Sequence, residues 1–166
     1  MMRKFMDVSK GEDRIIVQTF IMHIGNHYVG APLYSVIKEP LDITELARCI
    51  EESWEVITSS QVSTETAKEM SERSIWKRAT KKCKSYKKFW QNYNMAVIEL
   101  LEDDSCRIYA YQRNMVDKYA LYNGCVKEIL LPQGSTCKAM AEAVMDVLLA
   151  AEEFYGKEQL EWAPKK

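Results

Sequence analysis

The stretch that decides the fold runs from Val126 to Gly156, VKEILLPQGSTCKAMAEAVMDVLLAAEEFYG. Val126–Leu131 reads as a buried strand, ended by Pro132, which has no N–H to give a ladder. Ser135 or Thr136 then offers a hydroxyl to cap a helix. Met140, Val144, Val147, Leu148, Ala151 and Tyr155 follow at helical spacing, an apolar stripe that needs a surface to cover it. Gly156 stands where a C′ glycine ends a helix. A strand that turns directly into an amphipathic helix predicts a helix lying on a sheet.

Working upstream, Asn123-Gly124 reads as a turn, and Glu102–Ser105 joins two further strands, Met95–Leu101 and Arg107–Gln112. Tyr86–Gln91 is another strand candidate. The apolar side of Met70, Ile75, Trp76, Ala79 and Cys83 predicts a helix from just after Thr64 to about Lys82. Its early acids and late bases suit the helix macrodipole. Asp42 as cap, with Glu45 as capping-box partner, opens a helix over Ile43–Ile57. Ile43, Leu46, Ala47, Ile50, Trp54 and Ile57 form its stripe. Arg14–Met22, RIIVQTFIM, is rich in β-branched residues and predicts the first strand. Tyr28–Ile37 returns as a second strand after Gly25-Asn26, and Pro32 predicts that it sits at an edge or is interrupted. Residues 1–12 and 157–166 are expected to be loose. The order is strand, strand, helix, helix, several strands, helix. It predicts a single α/β (α+β) domain over residues 1–166, with a mixed or antiparallel central sheet and about three helices packed on it.

A chain of 166 residues, 47% hydrophobic and 28% charged, is long enough to bury a core without disulfide or metal staples. The amino-terminal MMRKFMDVSKGEDR has charges but no apolar stretch behind them, so no secretory signal is expected. No run reaches the ~18 apolar residues of a membrane span. Five scattered cysteines, an odd number, read as reduced thiols. The expectation is a cytoplasmic protein without membrane contact.

Catalytic and metal chemistry leave no pattern. His23 and His27 straddle a Gly-Asn turn with no CxxC or second HxxxH to support them. Glycine loops for phosphates or dinucleotides are missing, as is a nucleophile elbow. No catalytic residue, metal site or cofactor is assigned. The distribution of charge is more informative. Arg73–Lys88 carries eight bases and no acid; 23 less these eight leaves 15 bases against 24 acids in the rest of the chain. Trp76, Tyr86, Phe89, Trp90 and Tyr93 interleave with or follow those bases, as stacking on nucleic acid would need. The same aromatics fall where a core needs them, and the chain as a whole lacks a basic excess. A nucleic-acid-binding or regulatory module using 73–88 is therefore the second reading.

Three segments carry a resemblance to a known family. They are YVGAPLY at Tyr28–Tyr34 leading to DITELARCIEESWEVITSS (Asp42–Ser60), then SIWKRATKKCKSYKKFWQN (Ser74–Asn92), and VKEILLP (Val126–Pro132) before a long final helix. From about Tyr28 to Tyr155 the chain resembles the CdiI-type immunity proteins of bacterial contact-dependent growth inhibition. The resemblance implies a non-enzymatic antidote whose partner is the carboxy-terminal toxin domain of a cognate CdiA-type protein, often a nuclease. It carries over no toxin-contacting residue. Charge alone nominates Glu102, Asp103 and Asp104 in the acidic turn, and Glu152 and Glu153 near the end of the last helix, as toxin-binding residues.

Overall fold

The computed structural model describes residues 4–22, 28–57, 79–85, 88–89, 92–113 and 122–161, with the side chains of 21–33, 111–124 and 155–161 left aside. Six strands form one sheet: β1 (Lys4–Gly11), β2 (Arg14–Met22), β3 (Tyr28–Lys38), β4 (Tyr93–Leu100), β5 (Cys106–Arg113) and β6 (Tyr122–Leu131). Their order is β3-β2-β1-β4-β5-β6, and every neighbouring pair is antiparallel. Two helices complete the described residues, α1 (Ile43–Ile57) and α2 (Cys137–Glu161). The architecture is the expected α+β domain, with the sheet purely antiparallel. Of the third expected helix, residues 65–78 lie outside the described residues.

Period-two alternation places the core. Met6, Val8, Ile15, Val17, Ala96, Ile98, Ile108 and Ala110 point to one face of the sheet. There they meet Leu46, Cys49 and Ile50 of α1 and Met140, Val144, Val147, Leu148 and Ala151 of α2. Trp54 lies partly buried against this core and its indole Nε1–H reaches the Met140 Sδ at 3.4 Å, joining α1 to α2. Ile16, Tyr93 and Met95 point to the opposite face, where Ala79, Cys83 and Phe89 cover them.

Both helices start on the caps the sequence offers. Asp42 Oδ1 accepts the Thr44 N–H at 2.8 Å, and Thr136 Oγ1 accepts the Ala139 N–H at 3.1 Å. Glu45 does not close a capping box; it turns to the Arg48 guanidinium one turn ahead.

Several expectations are corrected. Residues 4–11, expected to be loose, form β1, a strand paired on both edges. Tyr86–Gln91 is not a strand where it is described. Ser85 nucleates a helical turn, its carbonyl accepting the Phe89 N–H at 3.0 Å and its Oγ the Lys88 N–H at 3.2 Å. Asn123-Gly124 lies inside β6 and makes no turn. Tyr111 pairs with Cys125 and Arg113 with Tyr122, so β6 carries an extra residue there, a bulge that glycine suits. Val126–Leu131 is the outer edge strand rather than a buried one, with Leu130 63% exposed. α2 runs through Gly156 to Glu161, because the residues beyond the glycine are helix formers. Pro32 did indicate an edge, since β3 is the outer strand on the other side.

Trp54 and Val147 thus share one core, as the two helical stripes predict, and Val147 is fully buried. Val147→Asp is expected to cost several kcal/mol by burying an unpaired charge. The check is thermal denaturation by circular dichroism, with the variant unfolded or melting far below the parent.

Candidate functional site

The acidic residues singled out by charge fall at two ends of the sheet. The Glu102–Asp104 turn joins β4 to β5, beyond the Leu100–Cys106 pair, and Leu100 also faces Lys4 at the start of β1. Glu152, by contrast, is ion-paired with Lys10 at the far end of β1. Six residues of strand separate Lys4 from Lys10, roughly 20 Å. The structure does not bring the two groups into one patch.

Within the turn the carboxylates differ. Asp103 is used internally: its Oδ1 accepts both the hydroxyl and the N–H of Ser105, which lower its pKa. Asp104 has a left-handed backbone, φ 59°, which aspartate tolerates better than most residues. Gln133 Nε2 approaches it at 3.4 Å. Glu102 and Asp104 remain exposed.

On α2, Glu142, Asp146, Leu149 and Glu153 are exposed and recur at i, i+4, i+7 and i+11, one narrow stripe along the outer side of the helix. The inner side of the same turns is buried, so the stripe is held rigidly. Asp146 pairs with Lys127 of β6 at 2.8 Å and Glu152 with Lys10 of β1. Glu142 and Glu153 have no ionic partner among the described residues. Leu149, 54% exposed, lies between them. A groove of about 350 Å³ opens beside it, lined by Lys10, Met145, Asp146, Leu149 and Glu152.

Of the eight bases in the basic segment, Lys81, Lys82, Lys84 and Lys88 are described, and the fold draws the first of them inward. Ala79 is helical, but Lys81 and Lys82, expected to continue the helix, are not. The cause is the two-residue turn between β1 and β2. Glu12 accepts the Lys81 N–H at 2.7 Å, the Lys82 N–H at 3.0 Å and the Tyr93 hydroxyl at 2.7 Å. Asp13 takes the Lys81 ammonium and the Arg14 guanidinium, and Arg14 Nη1 donates to the Ala79 carbonyl at 2.9 Å. Lys81 is therefore neutralised within the fold. Phe89 and Tyr93 are buried, with ring centroids 4.8 Å apart, and offer no platform for bases. Trp76, Tyr86 and Trp90 lie outside the described residues, as do His23 and His27.

No signal for this latch was read from the sequence, though Gly11-Glu12-Asp13 between two alternating runs marks a hairpin. Gly11 is required there. A Cβ would meet the Asn92 carbonyl oxygen at 2.1 Å, so β1 and β4 approach too closely for any side chain. Glu12 adopts φ 56°, a left-handed conformation of the kind that tight hairpin turns need. For a non-glycine residue this costs on the order of 1–2 kcal/mol, offset by the hydrogen bonds its side chain accepts.

A second charged group lies nearer β6, on the same face of the sheet as Tyr93. Arg107 donates to Glu128 at 2.6 Å, stands 3.9 Å from Glu99 and stacks over the Tyr109 ring at 4.7 Å. Glu99 is only 8% exposed, and Glu128 holds the Arg107 pKa above its ordinary value. The thiols of Cys49, Cys83, Cys106 and Cys137 are pushed up by burial, which suppresses thiolate reactivity. Among the described residues no three His, Cys, Asp or Glu side chains are grouped to hold a metal ion, and no helix is long and apolar enough to cross a membrane.

No family model matches the sequence, and no curated protein matches it significantly. Solved structures do match the fold. One is a protein of unknown function from Neisseria meningitidis, with a TM-score of 0.61 at 11% identity over 89% of this chain and 94% of that one. Another is a chain of a CdiA-CT/CdiI toxin and immunity complex from Yersinia pseudotuberculosis. Its TM-score is 0.60 at 9% identity, over 90% of this chain and 98% of that one.

The latch makes a pH prediction. Partial burial would raise the Glu12 pKa, but the Lys81 N–H, the Tyr93 hydroxyl and the Lys82 N–H outweigh it and hold the carboxylate below its ordinary value. The Lys81 ammonium and Arg14 do the same for Asp13. Depressed carboxylates stabilise the fold above the ordinary carboxylate pKa, and that contribution is lost as pH falls through their folded values. Glu12→Gln is expected to lower Tm at neutral pH by about 2–4 °C, the shift of roughly 1 kcal/mol in a domain of this size. The gap to the parent should close below about pH 4. Melting curves of both proteins from pH 7 to pH 3 check it; a gap independent of pH refutes the charge-based latch.

Proposed function

We propose that this chain is an immunity protein that neutralises a toxin domain by binding it tightly, one to one, without turnover. The observation that carries the reading is the likeness of its fold, over nine-tenths of its length, to a chain from a toxin and immunity complex. The sequence resemblance to CdiI-type proteins across Tyr28–Tyr155 supports the same class. The immunity role, rather than the toxin role, rests on chemistry. Burial raises the thiols of four of the five cysteines, and Lys81, Asp13, Arg107 and Glu128 are engaged in ion pairs that hold the fold.

On this reading the partner is a cognate CdiA-type carboxy-terminal domain, a nuclease with a basic surface, met in the cytoplasm. Acidic side chains outside 73–88 steer it, so the association rate falls as salt rises. An antidote must be present before the toxin and hold it, which calls for nanomolar affinity or better, about −12 kcal/mol. Nucleic-acid binding through 73–88 is disfavoured by the paired Lys81 and the buried Phe89 and Tyr93.

The test is co-expression with the toxin domain encoded beside this chain, followed by co-purification and light scattering. Cell survival with a one-to-one complex is the expected outcome. If the cells die and no complex forms, the reading fails. Sub-micromolar binding of RNA or DNA at physiological salt would instead promote the nucleic-acid reading.

A further inference from the structure

We infer that the outer stripe of α2 and the groove beside Leu149 form the surface that receives the partner protein, and that this partner presents an apolar side chain flanked by lysines or arginines. The inference rests on the immunity reading and adds where the partner sits and what it offers.

Leu149 is a large apolar side chain, 54% exposed, in the middle of a helix whose opposite side is fully packed. Single exposed leucines are ordinary on protein surfaces. This one borders a groove of about 350 Å³ in which Met145 supplies a second apolar wall. That volume is at the small end of ligand pockets, and the groove is bounded by ion pairs instead of convergent polar groups. An apolar centre inside a charged rim is the anatomy of a protein–protein contact. Methionine adds an adaptable wall to such a surface.

Charge decides the occupant. Lys10 and Lys127 are already engaged by Glu152 and Asp146, so the two bases at the rim are neutralised. Glu142 and Glu153 stand on either side of Leu149, exposed and without an ionic partner among the described residues. Counting Lys138, exposed one turn before Glu142, the described groups are four acids (Glu142, Asp146, Glu152, Glu153) against three bases (Lys10, Lys127, Lys138), a net negative charge around an apolar point. Its complement is a basic surface with an apolar knob, while a second copy of this chain would bring acid against acid. The acidic turn at Glu102–Asp104 spends Asp103 on its own Ser105 and lies at the other end of the sheet.

The experiment measures binding of the purified carboxy-terminal domain encoded beside this chain to immobilised parent and variants. Leu149→Gln, and separately Glu142→Lys combined with Glu153→Lys, are expected to weaken Kd at least tenfold. The charge variant should also slow association and flatten its salt dependence. Glu102→Lys with Asp104→Lys should change Kd less than threefold. All these side chains are exposed, so melting temperatures within about 2 °C of the parent confirm intact folds. Tight binding by the parent with unchanged Kd in both α2 variants overturns the docking surface and leaves the immunity reading standing. No binding by the parent overturns both. Self-association of the parent that Leu149→Gln abolishes, seen by sedimentation, overturns the assignment to a basic partner.

Discussion

Both edges of β1 are hydrogen-bonded, to β2 through pairs from Met6–Thr19 to Gly11–Arg14 and to β4 through pairs from Lys4–Leu100 to Gly11–Tyr93. The sheet is continuous only because this strand closes it. The β3-β2 half and the β4-β5-β6 half come from segments far apart in the chain, and an unpaired edge in either would expose a row of N–H and C=O groups. Met6 and Val8 also put the middle of the helix-side core on this strand. α1 and α2 can share one core because the two halves are held at a fixed spacing beneath them.

The hairpin that begins at the end of β1 does a second job. Gly11 lets β4 come close, and the Glu12 carboxylate collects two backbone N–H groups and a buried phenol from the segment entering β4. Desolvation and the neighbouring carboxylate keep the Tyr93 hydroxyl protonated, so it remains a donor. Part of the most basic stretch of the chain is thereby tied to the two carboxylates of the β1–β2 turn. The bipolar charge pattern is in this region an internal fastening, and a lysine run that reads as a polyanion surface in one dimension is partly cancelled in three.

The remaining acids act differently. On the outer side of α2 they border an apolar point, two of the carboxylates without an ionic partner among the described residues, while the buried side anchors the helix on the sheet. A rigid element that displays an apolar centre within charge loses little conformational entropy when it binds. Arg107, held between Glu128, Glu99 and Tyr109, shows the contrasting use of charge, with each group satisfied by its neighbours and little left to offer a partner.

Local signals determined α1, β2 and the start of α2 from sequence, because Asp42 and Thr136 cap their helices wherever those helices pack, and because RIIVQTFIM fits little other than a pleated surface. Pro32 likewise assigned β3 to an edge through its missing N–H. What failed were the elements whose state depends on distant partners. Lys4–Gly11 is too short and mixed to read as a strand until β2 and β4 flank it. Asn123-Gly124 is a turn signal that the β5 register converts into a bulge. Lys81 and Lys82, expected to be helical, are not, because Glu12, some 70 positions away, takes their backbone N–H groups, while Arg14 takes the Ala79 carbonyl. For the candidate site, the sequence supplied the acids but not their grouping. Charge and expected exposure named Glu152 and Glu153; only the tertiary structure showed that the Glu102–Asp104 turn lies at the other end of the sheet, that Lys10 neutralises Glu152, and that Leu149 is left exposed. Burial and pairing are properties of chain segments brought together by the sheet, and no local pattern encodes them.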